Sequence, residues 1–310
     1  MISVCMATYN GERFIAKQLE TIYNQSLKAD EVIICDDGSK DETVSIIEQF
    51  INEHHLKNIW KIYRNTVNKG YPGNFYYAMS LCSGDVVFLA DQDDVWESDK
   101  IKNMMQIMAR EQGIGLLASR WGIIDQEGKV LREVSRGKCS GTDALVNISI
   151  KDILYCYDWP GMCMCYRKDV GERVLEKVKD SMLAHDVALG VAAAEAGTFY
   201  CVNQRNQFHR RHDANVAEEE HRARKLLNKK RKIYEIEKYL HMLQEILDSR
   251  VLMYENSNLM IESKKNIMQE RLDNLKAGLP LKIIKQYTKH QQDIRWATLI
   301  CDLVICRQKL

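Results

Sequence analysis

The 310-residue sequence predicts an α/β fold with a mostly parallel central sheet and a C-terminal α-helical region. Three observations support this fold. Short apolar runs alternate with helical patterns through the first hundred residues, as in chains whose strands are joined by crossover helices. Residues 218–276 contain no Gly or Pro, and their apolar residues recur at helical spacing. A composition that is 45% hydrophobic and 28% charged supports packed domains and argues against a disordered chain.

The first hundred residues are expected to contain four strands, with a helix after each of the first three. Each strand is a short apolar run bounded by turn residues. The predicted strands are Ile2–Ala7, Glu31–Cys35, Trp60–Arg64 and Val86–Ala90. The predicted helices are Glu12–Asn24, Asp41–Glu53 and Gly73–Cys82, the last of which ends at the Ser83-Gly84 turn.

The later elements follow a looser pattern. Strands are predicted at Gly115–Ser119 and Cys163–Arg167, and helices at Ser98–Glu111, Gly171–Lys179 and Asp186–Ala196. We place a domain boundary between residues 217 and 218, where the composition changes. Beyond it the chain is expected to be helical, with a stop at Gly278-Leu279-Pro280 and one more helix over Leu281–Gln308.

The net charge of +1 conceals an uneven distribution of charge. Residues 1–110 carry −5, residues 111–220 carry −3, and residues 221–310 carry +9. Within the last part, Arg222 to Lys232 holds seven basic residues and no acidic one. Such a run is typical of a solvated helix face, and it also suits attraction to anionic lipid headgroups. Nucleic acid is not an expected partner, because no recognition motif or aromatic interleaving accompanies the run.

The ten cysteines are expected to be reduced thiols in the cytoplasm. The chain begins directly in a strand pattern, without the basic and apolar segments of a signal peptide. The apolar run from Ala297 to Cys306 is interrupted by Asp302 and is too short to span a bilayer. Membrane contact is therefore expected to be peripheral, at the inner face of the plasma membrane.

Three of the predicted strands run into polar clusters. The clusters are Thr8-Tyr9-Asn10-Gly11, Asp36-Asp37-Gly38-Ser39 and Asp91-Gln92-Asp93-Asp94. Each one alone is also typical of ordinary turns and helix caps. Together they matter more, because the carboxyl ends of parallel strands meet at one edge of the sheet, where such folds bind ligands.

The third cluster places three carboxylates within four residues, directly after a buried strand. Asp91 and Asp93 lie on the same side of an extended chain, so both can face one site. Like charges this close repel unless a cation or hydrogen-bond donors compensate them. A divalent metal, Mn²⁺ or Mg²⁺, would do so and leave positions open for phosphate oxygens. A solvated acidic turn is the alternative.

These motifs, together with Asn68-Lys69-Gly70 and Ser83-Gly84-Asp85, resemble glycosyltransferase family 2 over roughly residues 1–215. The resemblance implies an inverting enzyme with a GT-A fold that uses a nucleotide-sugar donor. It makes residues 1–217 the catalytic domain, with a donor half over 1–100 and an acceptor half over 101–217, and leaves 218–310 as a helical region. The Asp-Gln-Asp-Asp form followed by Trp96 is similar to bacterial rhamnosyltransferases of surface polysaccharides such as capsule and cell wall.

The resemblance also implies roles for individual residues. One group would bind the donor nucleotide: Thr8, Tyr9, Asp36, Asp37, Asn68, Gly70 and Asp91, of which Asp36 supports its turn and Asp91 lies near the ribose. Asp93 or Asp94 would bind the metal, since the register of the motif is open. The segment from His209 to His212 would assist, with Arg210 and Arg211 on the diphosphate and His212 on the metal, although a solvated basic loop explains it almost as well.

An inverting transfer needs one carboxylate to take the proton of the acceptor hydroxyl. The family carries this base in an acidic pair or His-Asp pair that opens a helix, and His185-Asp186 matches that pattern. Asp186 is therefore the predicted base, and the alternative is a carboxylate that only stabilises the helix N-terminus. His185 and Trp159 are predicted to contact the acceptor, although loop packing also accounts for Trp159.

The predicted function is transfer of a sugar from dTDP-rhamnose or a UDP-hexose to a hydroxyl of a glycan or lipid-linked glycan. The Gln-x-x-Arg-Trp motif of processive synthases is absent, which favours one transfer per encounter. A sugar-phosphate nucleotidyltransferase is one alternative, but it would need a Gly-rich phosphate loop at the N-terminus. The other is a non-catalytic scaffold whose helical region binds a membrane, a partner or a second copy as a homodimer.

Overall fold

The computed structural model of the protein describes residues 1–133, 144–155, 159–178, 181–212, 228–294 and 296–308. The chain divides into two compact units, Met1–Asp213 and Ala214–Leu310. Part of the predicted basic run, residues 222–227, lies outside the described residues.

One sheet runs through the first unit. Its strands in the described part of the chain are β1 (Ile2–Thr8), β2 (Glu31–Asp36), β3 (Trp60–Arg64), β4 (Val86–Asp91), β5 (Val95–Trp96), β6 (Leu116–Ile124), β7 (Val130–Glu133), β8 (Val146–Asn147), β9 (Met164–Arg167) and β10 (Phe199–Arg210). The spatial order is β3-β2-β1-β4-β9-β6-β10-β5, with β7 paired to β6 and β8 paired to β10.

The strands β3, β2, β1 and β4 are all parallel to their neighbours. The strand β9 is antiparallel to both β4 and β6, whereas β6 and β10 are again parallel. The predicted α/β class with a mostly parallel sheet is therefore confirmed. Because the first four strands run the same way, the turns after β1, β2 and β4 open at the same edge, which we call the carboxyl edge.

Helices connect these strands and bury their apolar faces against the sheet. In the first unit they are α1 (Ile15–Tyr23), α2 (Thr43–Glu53), α3 (Gly70–Leu81), α4 (Lys100–Arg110), α5 (Ile150–Tyr155), α6 (Lys168–Lys177) and α7 (His185–Glu195). The central strands are covered on both faces, and Val4, Ile34 and Phe88 are fully buried. This burial explains why β1, β2 and β4 appear in the sequence as continuous apolar runs.

The longest strand, β10, is not predicted by the apolar pattern. Its middle carries Asn206 and Gln207, which are polar and fully buried, so the usual alternation of apolar and polar residues is lost. As a result His209 and Arg210, which were predicted to lie in a loop, are the last residues of a strand. The pairing of β10 with β5 carries these residues to the carboxyl edge.

The second unit is helical in its described part, with α8 (Lys229–Ser249), α9 (Glu255–Ala277), α10 (Pro280–Lys289) and α11 (Trp296–Ile305). Residues 281–308 form two helices, so the single predicted helix is wrong. The apolar core includes Ile236, Leu272 and Ile305. A buried ion pair joins Arg271 to Asp302, with distances of 2.7 and 2.9 Å from Nε and Nη2 to the two carboxylate oxygens. None of the described helices has the length and apolar character needed to cross a membrane.

Candidate active site

The turn after β2 is held together by Asp36. This residue is buried, and its Oδ1 accepts hydrogen bonds from the backbone N–H groups of Gly38 at 3.1 Å and Ser39 at 2.9 Å. Its Oδ2 accepts a bond from the Thr8 hydroxyl at 3.1 Å, which links the ends of β1 and β2. Thr8 and Asp36 therefore form a hydrogen-bonded scaffold, and the supporting position predicted for Asp36 agrees with these contacts.

Asp37 connects the same turn to the start of α3. Its Oδ1 accepts hydrogen bonds from Asn65 Nδ2 and from the N–H of Lys69, both at 2.8 Å. The Asn68 side chain donates to the carbonyl of Asp37 at 2.9 Å. Gly70 follows with a φ of 72°, a conformation that favours glycine. Asp37, Asn68 and Gly70, which the sequence separates by about thirty residues, thus line one corner of the carboxyl edge.

Gln92 joins the turn after β1 to the turn after β4. Its Oε1 accepts a hydrogen bond from the N–H of Tyr9 at 2.8 Å, and its Nε2 donates to the carbonyl of Tyr9 at 3.0 Å. A Cβ added to Gly11 would lie 2.5 Å from Cδ of Gln92, so a larger residue there would displace the Gln92 amide. The Tyr9 ring itself is half exposed. Sequence reasoning missed Gln92, because nothing in its own neighbourhood indicates a partner 83 residues away.

The three carboxylates after β4 have different surroundings. Asp91 is partly buried, and its carboxylate makes no hydrogen bond or ion pair to the described residues. Burial and the nearby charges of Asp94 and Asp93 raise the pKa of Asp91 well above its usual value. Oδ2 of Asp93 lies 2.8 Å from Nε2 of His212. Asp91, Asp93 and His212 thus offer the oxygen and nitrogen donors that suit a divalent metal.

Asp94 faces the protein interior and is fully buried. Its Oδ1 lies 3.1 Å from Nδ1 of His209, while its Oδ2 has no hydrogen-bond partner among the described residues. Burial lowers the pKa of His209, but the hydrogen bond and charge of Asp94 outweigh this and raise that pKa to about 9. A protonated His209 therefore balances one of the three carboxylates from within. The described residues contain no preformed cluster of three metal-ligating side chains.

The role predicted for Arg210 is wrong. It was expected to bind a diphosphate, but its side chain is buried and donates hydrogen bonds to three backbone carbonyls. These belong to Asp93 at 3.0 Å, Asp125 at 3.2 Å and Gln126 at 3.0 Å. Arg210 therefore fixes the carboxylate turn against the turn between β6 and β7. The next residue, Arg211, is partly exposed and donates its backbone N–H to Ile124 at 2.9 Å.

Phe14 is a further residue of this region that the sequence did not indicate. Its ring centroid lies 4.5 Å from that of His212, and the Arg210 guanidinium carbon lies 4.9 Å from the same ring. The ring therefore packs between His212 and the arginine that holds the turn. Aromatic contacts of this kind orient side chains without polar bonds.

The helix α7 opens with the predicted His185-Asp186 pair, and the two side chains differ sharply. His185 is fully buried, with its ring stacked on Phe75 at a centroid distance of 3.8 Å. Burial lowers its pKa to about 3, so the ring is neutral. A Cβ on Gly161 would lie 2.5 Å from its Nε2. His185 is thus a packed core side chain, which corrects the prediction that it meets an acceptor.

Asp186 is partly buried in the first turn of α7. Burial raises its pKa to about 6, although the N–H groups of Val187 and Gly161 act in the opposite direction. The Val187 N–H donates to its Oδ1 at 2.8 Å. The charge of Asp186 also contributes to the raised pKa of Asp91, so the two carboxylates lie within electrostatic range. This arrangement suits proton transfer near neutral pH.

Tyr71 is exposed near both carboxylates and was not predicted. Burial and the charges of Asp186 and Asp91 raise the pKa of its phenol well above the usual value, although 40% of the residue is exposed. Its ring meets the His185 ring edge-on at 5.3 Å. Tyr71 is therefore a wall of the site beside Asp186.

Trp159 corrects another prediction. Only 3% of the residue is exposed, and its ring packs against Phe199 with a centroid distance of 5.4 Å. It contributes to the core and not to an acceptor surface. Trp96 is buried as well, and the ammonium group of Lys100 lies 3.7 Å from its ring centroid. Burial lowers the pKa of Lys100 to about 7, and its Nζ donates to the carbonyl of Met162 at 2.6 Å.

Comparison with known proteins relates the first unit of the chain to a protein family. The model described as "Glycosyl transferase family 2" matches residues 3–166, which contain the turns after β1, β2 and β4. An uncharacterized glycosyltransferase of Nostoc sp. is 26% identical over 217 residues, covering 69% of this chain and 66% of that protein. The dTDP-rhamnosyl transferase RfbG of Shigella flexneri is 38% identical over 109 residues, covering 33% of this chain and 36% of that protein.

A third relative, the Escherichia coli glucosyltransferase WfaP, is named for transfer from UDP-Glc to GlcNAc-diphosphoundecaprenol. It is 32% identical over 112 residues, covering 36% of this chain and 43% of that protein. The chain thus spans from about a third to two thirds of the length of these three relatives.

Solved structures share the fold at low sequence identity. Residues 1–349 of Staphylococcus aureus TarS superpose with a TM-score of 0.58 at 16% identity, over 98% of this chain and 89% of that one. The mannosyltransferase PcManGT of Pyrobaculum calidifontis, in complex with GDP-Man and Mn²⁺, superposes with a TM-score of 0.52 at 16% identity. That match covers 98% of this chain and 85% of that one. Both likenesses concern the fold alone.

Proposed function

The chain belongs to glycosyl transferase family 2 and is a glycosyltransferase, and from that premise we propose an inverting, metal-dependent transfer to a glycan or lipid-linked glycan. The donor is a nucleotide-diphosphate sugar, either dTDP-rhamnose or a UDP-hexose. The process is bacterial surface-polysaccharide synthesis, including capsule and cell wall. One observation carries the proposal: the Asp91 carboxylate, at the carboxyl edge, has no hydrogen-bond or ion-pair partner among the described residues.

The donor is proposed to bind along the carboxyl edge. Thr8, Tyr9, Asp37, Asn68 and Gly70 contact its base and ribose, with Asp36 as the support of the turn. The half-exposed ring of Tyr9 offers the nucleotide a stacking surface. The hydrogen-bonded groups around Asp37 offer it polar groups in fixed positions. The partly exposed Arg211 stands in the segment predicted to meet the diphosphate, which Arg210 does not reach.

Asp93 and His212 are proposed to hold the metal, as predicted, and Asp91, for which the ribose was the predicted contact, is proposed to join them. A bound Mn²⁺ or Mg²⁺ would neutralise charge on the leaving diphosphate. The raised pKa of Asp91 supports this role, because a cation relieves the repulsion that raises it. Asp94 is the weaker candidate ligand, since it is fully buried and one of its oxygens is bound to His209.

Asp186 is proposed to be the general base. Its carboxylate takes the proton from the acceptor hydroxyl while that oxygen attacks the anomeric carbon opposite the leaving diphosphate. A pKa of about 6 leaves the group largely ionised at neutral pH and still basic enough to accept a proton. Tyr71 limits the access of water to this carboxylate from one side.

A thermal-shift screen tests the donor and the metal together. UDP-, dTDP-, GDP- and CDP-sugars are added to the wild type with and without Mn²⁺. Nucleotide sugars that carry one particular base should raise the melting temperature of the protein, and should raise it further when Mn²⁺ is present. The Asp91→Asn variant should lose the part of this stabilisation that depends on Mn²⁺. The control variant Asp169→Asn, which changes an exposed carboxylate on α6, should behave as the wild type does. The proposal fails if no nucleotide sugar stabilises the wild type in either condition.

The enzyme is further proposed to work in the cytoplasm, peripherally at the inner face of the plasma membrane. The lipid-linked acceptor named for the relative WfaP supports this location. Contact with the anionic membrane was expected through the basic C-terminal helices, and a homodimer is the other arrangement that those helices could serve. Nucleic acid has no part in the proposal.

A further inference from the structure

Two helices of the second unit turn apolar side chains toward solvent. On α11 the exposed residues include Trp296, Ile300 and Val304, which recur every fourth position and so form one stripe. On α10 the exposed apolar residues are Leu281 and Ile284. We call these five residues the apolar face. Trp296 is 66% exposed and Leu281 is 81% exposed, which is unusual for side chains of this size.

The charge beside the apolar face has a single sign on α10. Lys282, Lys285 and Lys289 are all exposed, and α10 contains no acidic residue. On α11 the one acidic residue, Asp302, is buried in its ion pair with Arg271. Asp293, between the two helices, is the exposed acid of this described segment. The apolar face is therefore bordered mainly by lysines.

The basic run that the sequence singled out is less available in its described part. Lys229 is buried and donates to the carbonyls of Cys306 at 2.9 Å and Lys276 at 3.3 Å, so its charge caps helix ends. Arg231 and Lys232 both pair with Glu235, at 3.4 and 3.3 Å. Much of this charge is therefore used inside the helical unit.

We propose that the apolar face docks on an anionic phospholipid bilayer, with α10 and α11 lying in the plane of the membrane surface. Apolar side chains on one side of a short helix insert at the boundary between headgroups and acyl chains, and flanking lysines meet anionic headgroups. Tryptophan favours this same boundary because its ring is apolar and its N–H is polar. Neither helix needs to cross the bilayer.

A second copy of the chain is the competing occupant of the apolar face. A symmetric dimer through this face would bring the lysines of α10 close to the same lysines of the other copy. The surfaces of α10 and α11 offer no carboxylate to offset that repulsion. Anionic lipid supplies the opposite charge, so the bilayer is the occupant that the charges favour.

Cosedimentation with lipid vesicles tests the inference on the full chain. The wild type should sediment with phosphatidylcholine vesicles that contain phosphatidylglycerol, less with pure phosphatidylcholine, and less at high salt. The double variant Ile300→Ser with Val304→Ser should bind at least about tenfold more weakly. Lys282→Gln and Lys285→Gln should each weaken binding by about fivefold.

Matched controls come from the same unit. Leu259→Ser removes an apolar side chain of similar exposure on α9, and Lys238→Gln removes an exposed charge on α8. Both should bind vesicles as the wild type does, and circular dichroism should show every variant folded. Equal binding by the apolar-face variants and the wild type, or no vesicle binding by the wild type, overturns the inference.

Two further outcomes separate the inference from its rivals. A wild-type dimer in light scattering that becomes monomeric in the Ile300→Ser, Val304→Ser variant, without vesicle binding, would assign the face to a second copy and overturn the inference. The inference rests on the proposed function only in setting the acceptor at a membrane. The sedimentation assay contains no nucleotide-sugar donor and no glycan acceptor, so it measures lipid binding alone. Transfer to a soluble acceptor is measured in a separate assay, so failure of the inference and failure of the proposed function can be distinguished.

Discussion

The aspartates at the carboxyl edge fall into two groups that differ in what surrounds them. Asp36 is saturated by hydrogen bonds from its own turn and from Thr8. The Asp91 carboxylate receives none from the described residues, and Asp186 receives them only from backbone N–H groups, those of Val187 in its own helix and of Gly161 in an earlier segment. All of them follow or face strand ends of one sheet. Carboxylates saturated by protein hydrogen bonds hold the turns of the site in place, whereas carboxylates with fewer protein bonds keep oxygens open for a ligand.

The largest effect on activity is expected for Asp186, the proposed general base. Asp186→Asn removes the proposed base without changing the size of the side chain, so turnover should fall about 10²- to 10⁴-fold. Donor-induced thermal stabilisation should persist. The matched control is Asp169→Asn, because Asp169 occupies the first turn of α6 as Asp186 occupies that of α7. Turnover within a few-fold of wild type in Asp186→Asn would remove the assignment.

Substitution of Asp36, whose carboxylate is saturated by hydrogen bonds, should lower the stability of the fold. Asp36→Ala leaves two backbone N–H groups and the Thr8 hydroxyl without their acceptor, so the free energy of unfolding should fall by about 2–3 kcal/mol. Chemical denaturation measures this difference. Asp91→Ala serves as the contrast, since it removes repulsion and should leave stability unchanged or higher. If the two variants lose equal stability, the division into two groups is wrong.

An intermediate effect is expected where a carboxylate is satisfied by a titrating partner. Asp94 raises the pKa of His209 to about 9, above the ordinary value of 6.5. A raised folded-state pKa stabilises the fold fully below pH 6.5, and this contribution is lost as the pH rises through 9. Its size is on the order of 2 kcal/mol. Denaturation of the metal-free wild type across this range, against His209→Asn, should show the difference; parallel pH profiles would contradict it.

The smallest effect concerns the water access of Asp186. Transfer by the wild type should show an acidic limb near pH 6, since the base must be ionised. Tyr71→Ala opens one wall of the site, which should move that limb down by about one pH unit toward the ordinary aspartate value. Tyr71→Phe keeps the wall and should keep the limb. A limb that stays in place in Tyr71→Ala would mean that the ring does not shield the base.

The sequence was informative where the determinants are local. The strands β1, β2 and β4 are continuous apolar runs, so their bounds and the polar turns behind them could be predicted together. The strand β10 could not, because buried Asn206 and Gln207 hide the apolar pattern that marks a strand. Burial of these amides depends on partners in distant strands, which periodicity does not report.

The candidate site divides in the same way. Carboxylates in a short motif are visible as a cluster, so Asp91 and Asp93 could be proposed from residue type and context, whereas Asp186 was proposed from the family resemblance. The position of Arg210 depends on carbonyls that lie 84 to 117 residues earlier in the chain, and the burial of His185 depends on Phe75 from another helix. Such contacts follow from the packing of the sheet and its helices, and no local motif encodes them.

The paired bonds between Gln92 and Tyr9 have a mechanical consequence. They act as one additional rung of the strand ladder, made by a side-chain amide beyond the point where β1 and β4 end. The turn that presents Tyr9 and the turn that presents Asp91 therefore move as a single piece. In the proposed donor site, a nucleotide that displaces Tyr9 would also pull on the carboxylate turn, so the fit of the base would be transmitted to the proposed metal site.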